Sequence, residues 1–323
     1  MSERLLFIFP GQGAQYAGIG SDIHREYACA RQVYTTASEV LGYDIAELSF
    51  NGPEERLKLT RYTQPVLLTH HIACLTVFRE LSGDHIQPHL TAGHSLGEYS
   101  ALVAAGVLSF ETALRLVQKR GELMGEFGAG EMSALPLELA EAQPLAEKHY
   151  CAVAGLNLKD QTVVGGMPED LDRLEAELST TQPRKRAVRL KTEGAFHTYY
   201  MVTAAREYRP VLEAAEFHSS PIEVLSNYTG AVHTADPATI RTRLFFQLFH
   251  PVRWLDNLHT ALASGVTRII EFGGGIGTGV SPAEKRPNLE GMIKKVQRGT
   301  EYTAEYHAAI NHASLMTTAE IFR

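Results

Sequence analysis

Cysteine is scarce in this sequence: Cys29, Cys74 and Cys151 are all that a chain of 323 residues contains. The number is odd, the spacings are wide and no C-x-x-C pair occurs, so neither a disulfide framework nor a zinc site is indicated. Small buried hydrophobes are the ordinary role of such thiols. Long hydrophobic runs are missing as well. No apolar stretch approaches the ~20 residues that span a bilayer. The run Leu5 to Phe9 is too short for a signal-peptide core and leads straight into Pro10-Gly11, so a cytoplasmic location is the expectation. Nor is there a surplus of positive charge. Lys and Arg number 30 against 37 Asp and Glu, a net charge of −7, which argues against a general nucleic-acid binder. What is present is ordinary globular material, 44% hydrophobic and 21% charged, enough for a sizeable core. The length exceeds that of a usual single core and favours one large domain with a smaller one inserted or appended.

The rhythm of the chain gives the fold class. Leu5 to Phe9 reads as a strand buried on both faces that ends in a glycine-rich turn, Pro10-Gly11-Gln12-Gly13. Leu90 to Gly93 leads into an apolar helix, and Thr267 to Phe272 into Gly273-Gly274-Gly275. Strands alternating with helices imply a parallel α/β sheet, with ligands beyond the carboxyl ends of the strands. From about Glu131 to Thr192 the order changes to β-α-β-β-α-β, that of a ferredoxin-like module. The expected division is therefore a large α/β domain over 1–128 and 195–298, an insertion over 129–194, and a C-terminal tail over 299–323 that could form a terminal helix.

Three residues stand out for chemistry. Gly93-His94-Ser95-Leu96-Gly97 matches G-x-S-x-G, a sharp strand-to-helix turn that pushes a serine hydroxyl into the open. Ser95 is either a nucleophile or the cap of the helix that follows. A serine needs a base. Among 14 histidines, His197 lies in a turn where it could face a cleft or simply begin a helix, and His94 reads as structural support. The helix expected over 111–127 places Ala113, Val117, Arg120 and Met124 on one face. A buried guanidinium there must meet an anion: an internal acid such as Glu98 or Glu271, or a substrate carboxylate.

Six blocks then occur in a familiar order: Phe9-Pro10-Gly11-Gln12-Gly13-Ala14-Gln15, Tyr62-Thr63-Gln64-Pro65, Gly93 through Leu102, Arg120-Gly121-Glu122-Leu123-Met124, Gly194-Ala195-Phe196-His197-Thr198 and Pro251-Val252-Arg253-Trp254. Up to about Lys295 the chain resembles the malonyl-CoA:acyl-carrier-protein transacylases of fatty acid synthesis and the related polyketide synthase acyltransferases. The resemblance implies an α/β-hydrolase-like large domain carrying a ferredoxin-like small one. It implies that Ser95 attacks a thioester, that His197 is its base, and that the backbone N–H groups of Gln12 and Leu96 hold the oxyanion. It assigns the carbonyl that orients the imidazole to His250, and the acyl carboxylate to Arg120. Phe196 resembles the Ala-Phe-His pattern of malonyl-selective enzymes. Gln64, Met124, Asn157 and Gln161 match positions that line or support the family's pocket and are equally ordinary core or turn residues.

The activity so implied is malonyl transfer from malonyl-CoA to the phosphopantetheine thiol of an acyl carrier protein, by a monomer without a metal or resident cofactor. The basic residues of 184–191 are candidates for contact with an acidic carrier protein. The alternatives are a hydrolase that clears stalled acyl groups, a transferase of another acyl unit, and a non-catalytic carrier-protein docking subunit. The Lys119 to Gly125 run looks more like discrete acyltransferases serving polyketide synthases, and Gly273-Gly274-Gly275 replaces the family's Gly-Pro-Gly.

Overall fold

Leu5–Phe9 is apolar at every position and buried at every position, as a strand covered on both faces requires. In the computed structural model, which describes residues 3–323, this run is the central strand of a parallel sheet. In chain order the strands are β1 (Leu5–Phe9), β2 (Leu90–Gly93), β3 (Glu131–Leu135), β4 (Ala152–Leu158), β5 (Gln161–Gly166), β6 (Val188–Leu190), β7 (Glu223–Val224), β8 (Arg268–Phe272) and β9 (Glu305–Ala309).

The chain folds as two units. The first runs up to Gly121 and includes 215–225 and 261–323. Its sheet has the order β7-β2-β1-β8-β9 with every pair parallel. Phe9 is in register with Gly93, so β1 and β2 end at the same edge and deliver their glycine-rich turns side by side. The long helix Thr60–Ser82 packs beneath them and is buried along most of its length. Phe7, Phe78 and Phe272 meet edge to face, with ring centroids 4.8 to 6.1 Å apart. Each such pair adds about 0.5–1.5 kcal/mol beyond its buried area.

The second unit comprises 122–214 and 226–260. Its antiparallel sheet has the order β4-β5-β3-β6. The helices Leu139–Lys148 and Pro168–Thr181 complete the β-α-β-β-α-β order of a ferredoxin-like module. Leu135, Val164, Leu171, Leu174 and Leu178 form its core.

The division differs from the sequence expectation, the second unit beginning at Glu122 rather than 129. Residues 195–214 and 226–260 cluster with the antiparallel sheet rather than with the parallel one. The reason is backbone pairing: Val252 donates to the Ala154 carbonyl (3.0 Å) and accepts from Leu156 N–H (2.8 Å), extending β4's edge. The tail, 299–323, forms the terminal helix it could form, His312–Phe322, and also supplies the edge strand β9, which was not expected. Cys74 and Cys151 are buried, whereas Cys29 is only partly so, and all three are free thiols. Among the described residues no helix is long and apolar enough to cross a membrane.

Candidate active site

Ser95 sits where β2 turns into the helix Gly97–Ala104. The turn is too tight for a side chain at Gly93 or Gly97, two residues to either side. A Cβ at Gly97 would overlap the Phe9 carbonyl oxygen at the end of β1. His94 N–H donates to that same oxygen (3.0 Å), and Gly97 N–H to the His94 carbonyl (2.9 Å). The geometry forces Ser95 to φ 53°, one of only three positive values among the described non-glycine residues, the others being Tyr150 and His197. A side chain held in that region costs roughly 1–3 kcal/mol, and such strain concentrates at functional sites. Leu96 stands at the N-cap of the helix with α backbone angles, where a main-chain N–H has no intrahelical partner and the helix end is positive.

The first unit also brings Arg120 to this serine. The helix Phe110–Glu126 buries Ala113, Val117, Arg120 and Met124 as its periodicity requires, Arg120 being 1% exposed. Its Nη2 donates to Ser95 Oγ at 3.1 Å, and its guanidinium carbon lies 5.6 Å from the centre of the Tyr99 ring. Glu271, one of the two internal acids considered as its partner, accepts instead from Tyr306 and from the backbone of 288–289. The Gln12 side chain donates to Thr60 Oγ1 (3.3 Å), which anchors the turn after β1, and Gln64 is buried in the same unit.

In the second unit His197 has φ 62° and is 5% exposed. Its Nδ1–H donates to the Gln247 carbonyl at 2.7 Å, and its backbone N–H to the Leu248 carbonyl at 3.1 Å. The orienting carbonyl is therefore that of Gln247, not of His250. The cause lies in how the helix Pro237–Gln247 ends. The i+4 donor for Gln247 would be residue 251, which is proline and has no N–H, and that for Leu248 is Val252, whose N–H is spent on β4. Two orphan carbonyls thus meet both donors of His197. With Nδ1 protonated by this bond, Nε2 keeps its lone pair and can act as a base. His250 turns its own Nδ1 to the Phe246 carbonyl (2.9 Å) and packs among Tyr228, Phe246 and Phe249.

The turn carrying His197 lies on a floor of strand β5. A Cβ at Gly165 would stand 2.9 Å from Ala195 Cβ and 3.1 Å from Thr198 Cγ2. Phe196 and Met124 pack with Met132, Ala154, Val163 and Met201. Asn157 lies on β4 and Gln161 begins β5 across the hairpin. Of the basic stretch, Arg189 is taken up by Glu131, Asp172 and Glu175, and Lys185 by Glu141. Sequence reasoning missed Gln247, Leu248 and Tyr99. The one available signal for the first two was Pro251, four residues on from Gln247.

A parallel sheet whose β2 ends in a strained serine turn, with a buried arginine on that serine, together with a ferredoxin-like unit, defines an acyl-transfer enzyme of the serine type. Residues 6–244 match the acyl transferase domain family. The chain is 39% identical over 305 residues to the malonyl CoA-acyl carrier protein transacylase of Bacillus subtilis (strain 168), covering 92% of this chain and 91% of that protein. The solved malonyl CoA-acyl carrier protein transacylase of Coxiella burnetii superposes with a TM-score of 0.88 at 31% identity, over 99% of this chain and 98% of that one. A malonyl-transacylase solved in complex with its type II PKS acyl-carrier protein superposes with a TM-score of 0.87 at 32% identity, over 99% and 100%. The chain belongs to the malonyl CoA-acyl carrier protein transacylase family.

Proposed function

We propose that this protein moves a malonyl group from malonyl-CoA to the phosphopantetheine thiol of an acyl carrier protein through an ester on Ser95. The observation that carries the reading is the Arg120 Nη2 contact to Ser95 Oγ at 3.1 Å. It puts a planar, permanently charged carboxylate receptor at the nucleophile itself. In the first half-reaction His197 Nε2 takes the Ser95 proton as Oγ attacks the thioester carbonyl. The Gln12 and Leu96 N–H groups receive the oxyanion, each worth roughly 3 kcal/mol at the transition state. The C–S bond breaks and the CoA sulfur leaves with the proton from His197. In the second half-reaction the carrier-protein thiol gives its proton to His197, its sulfur attacks the ester, and Ser95 leaves as the hydroxyl.

Arg120 selects an acyl unit with a free carboxylate, and Phe196 narrows the choice to malonyl. We further propose a cytoplasmic monomer that needs no metal or resident cofactor and binds no nucleic acid. Mass spectrometry after mixing with malonyl-CoA should find a malonyl adduct on Ser95, and active protein without it would refute the scheme. One assay scoring transfer against free malonate separates this reading from a hydrolase. A panel of fatty-acid and polyketide carrier proteins identifies the acceptor.

A further inference from the structure

We infer that Glu271 is a positioning residue for acyl transfer, gripping the loop 273–289 and through it the turn that presents the Gln12 N–H. The inference rests on the role of Gln12 proposed above. Glu271 is fully buried on β8, immediately before the chain leaves the sheet. Its Oε1 accepts from Asn288 N–H (2.7 Å) and Leu289 N–H (3.1 Å), and its Oε2 from Leu289 N–H (3.0 Å) and Tyr306 O–H (2.7 Å). Leu289 is the N-cap of the helix Glu290–Arg298. One carboxylate thus ties the end of the loop to the strand from which the loop departs. A buried carboxyl is a costly way to fill a core, and burial pushes this one up to about 7. A leucine would fill the same space, but it could not hold two backbone N–H groups.

What the loop holds in turn is the segment after β1. Gly275 N–H donates to the Ala14 carbonyl at 2.9 Å, while Ala14 N–H closes the turn on the Gly11 carbonyl at 3.3 Å. Lys285 Nζ stands 4.7 Å from the centre of the Tyr16 ring. Ile276 and Arg286 exchange two 2.9 Å hydrogen bonds, which makes the loop a braced hairpin rather than a loose strand of chain. Ala14 therefore links the braced loop to the peptide planes of 11–13. The Gln12 side chain on Thr60 and the Gly13 N–H on Gln15 Oε1 hold the same turn independently, so loss of Glu271 should weaken its placement rather than abolish it.

The test is rapid-mix acylation of the full chain by malonyl-CoA at pH 8, reading both the fraction of Ser95 modified and the rate constant per modified site. Glu271→Leu should reach the wild-type fraction at a rate constant about tenfold lower, with half-saturating malonyl-CoA within about twofold of wild type. Glu271→Gln keeps an acceptor oxygen for the two backbone donors and should recover most of the rate. A wild-type rate constant in Glu271→Leu, a reduced modified fraction with an unchanged rate constant, or a Glu271→Gln as slow as the leucine variant would each overturn the inference. If Glu271→Leu does not fold, Glu271→Asp, whose carboxylate is withdrawn by one methylene, is read by the same criteria. Failure of wild-type protein to acylate Ser95 would instead overturn the underlying scheme.

Discussion

Arg120 donates a hydrogen bond to Ser95 Oγ across 25 residues of sequence, at 3.1 Å. The residue that would select the acyl group therefore touches the residue that would carry it. In the proposed scheme a malonyl carboxylate would have to take over a guanidinium already engaged with the hydroxyl, which would couple substrate selection to the nucleophile.

Removing that coupling should change selectivity more than fold. Arg120→Ala is expected to lower kcat/KM for malonyl-CoA about 100-fold, the worth of a charge-assisted hydrogen-bonded pair. Acetyl-CoA, which has no carboxylate, should be far less affected. Arg120→Lys should recover only part of the loss, since a point charge cannot form the bidentate pair. Steady-state kinetics with both thioesters checks this, and equal losses for the two would refute the assignment.

Backbone strain at Ser95 has its own signature. At φ 53° a glycine is unstrained and an alanine is not. Neither variant can acylate, yet Ser95→Gly should be more stable than Ser95→Ala by about 1 kcal/mol, the reverse of the usual order. Urea denaturation of the pair measures it.

The floor beneath His197 should tolerate no side chain. Gly165→Val is expected to cost about 1–3 kcal/mol of stability and to slow acylation at least tenfold by displacing the 195–198 turn. Gly291→Ala is the control, because nothing lies within 4 Å of its Cβ position. That change should leave acylation untouched and add up to about 1 kcal/mol of helix stability. A fully active Gly165→Val would contradict the role given to the floor.

Glu271 predicts a pH dependence of stability. Burial raises its carboxyl from 4.5 to about 7, against hydrogen bonds from Tyr306, Asn288 and Leu289 that lower it, and with the Glu290 charge adding to the rise. The folded protein thus retains a proton that the unfolded chain releases near 4.5. The stabilisation is full below that pH and is lost as pH climbs through about 7. Glu271→Gln does not titrate. The stability of wild type relative to that variant should therefore fall by about 3 kcal/mol between pH 4.5 and 7.5, as read from denaturant midpoints. A rise, or no change, would count against the buried carboxyl.

Much of this molecule is legible in its sequence. Strands and helices announce themselves through local periodicity, so the β-α-β-β-α-β order and the strand that leads into Gly93 could be read directly. The face of the helix Phe110–Glu126 that buries Arg120 followed from spacing alone. The edge strand β9 was missed, because a five-residue run with exposed and half-buried positions has no strong period of its own and owes its form to pairing with β8.

The residue types that could do chemistry are readable from the chain alone: a serine in a G-x-S-x-G turn, a histidine in a second turn, and an arginine on a buried face. The tertiary structure alone decided what each of them touches. Gln247 rather than His250 orients the imidazole because helix register and Pro251 leave that carbonyl orphaned 50 residues from His197. Glu271 answers to 288–289 and Tyr306, not to Arg120. Hydrogen bonds between residues far apart in the chain depend on distances that no local pattern encodes, and those distances exist only once the sheet has set them.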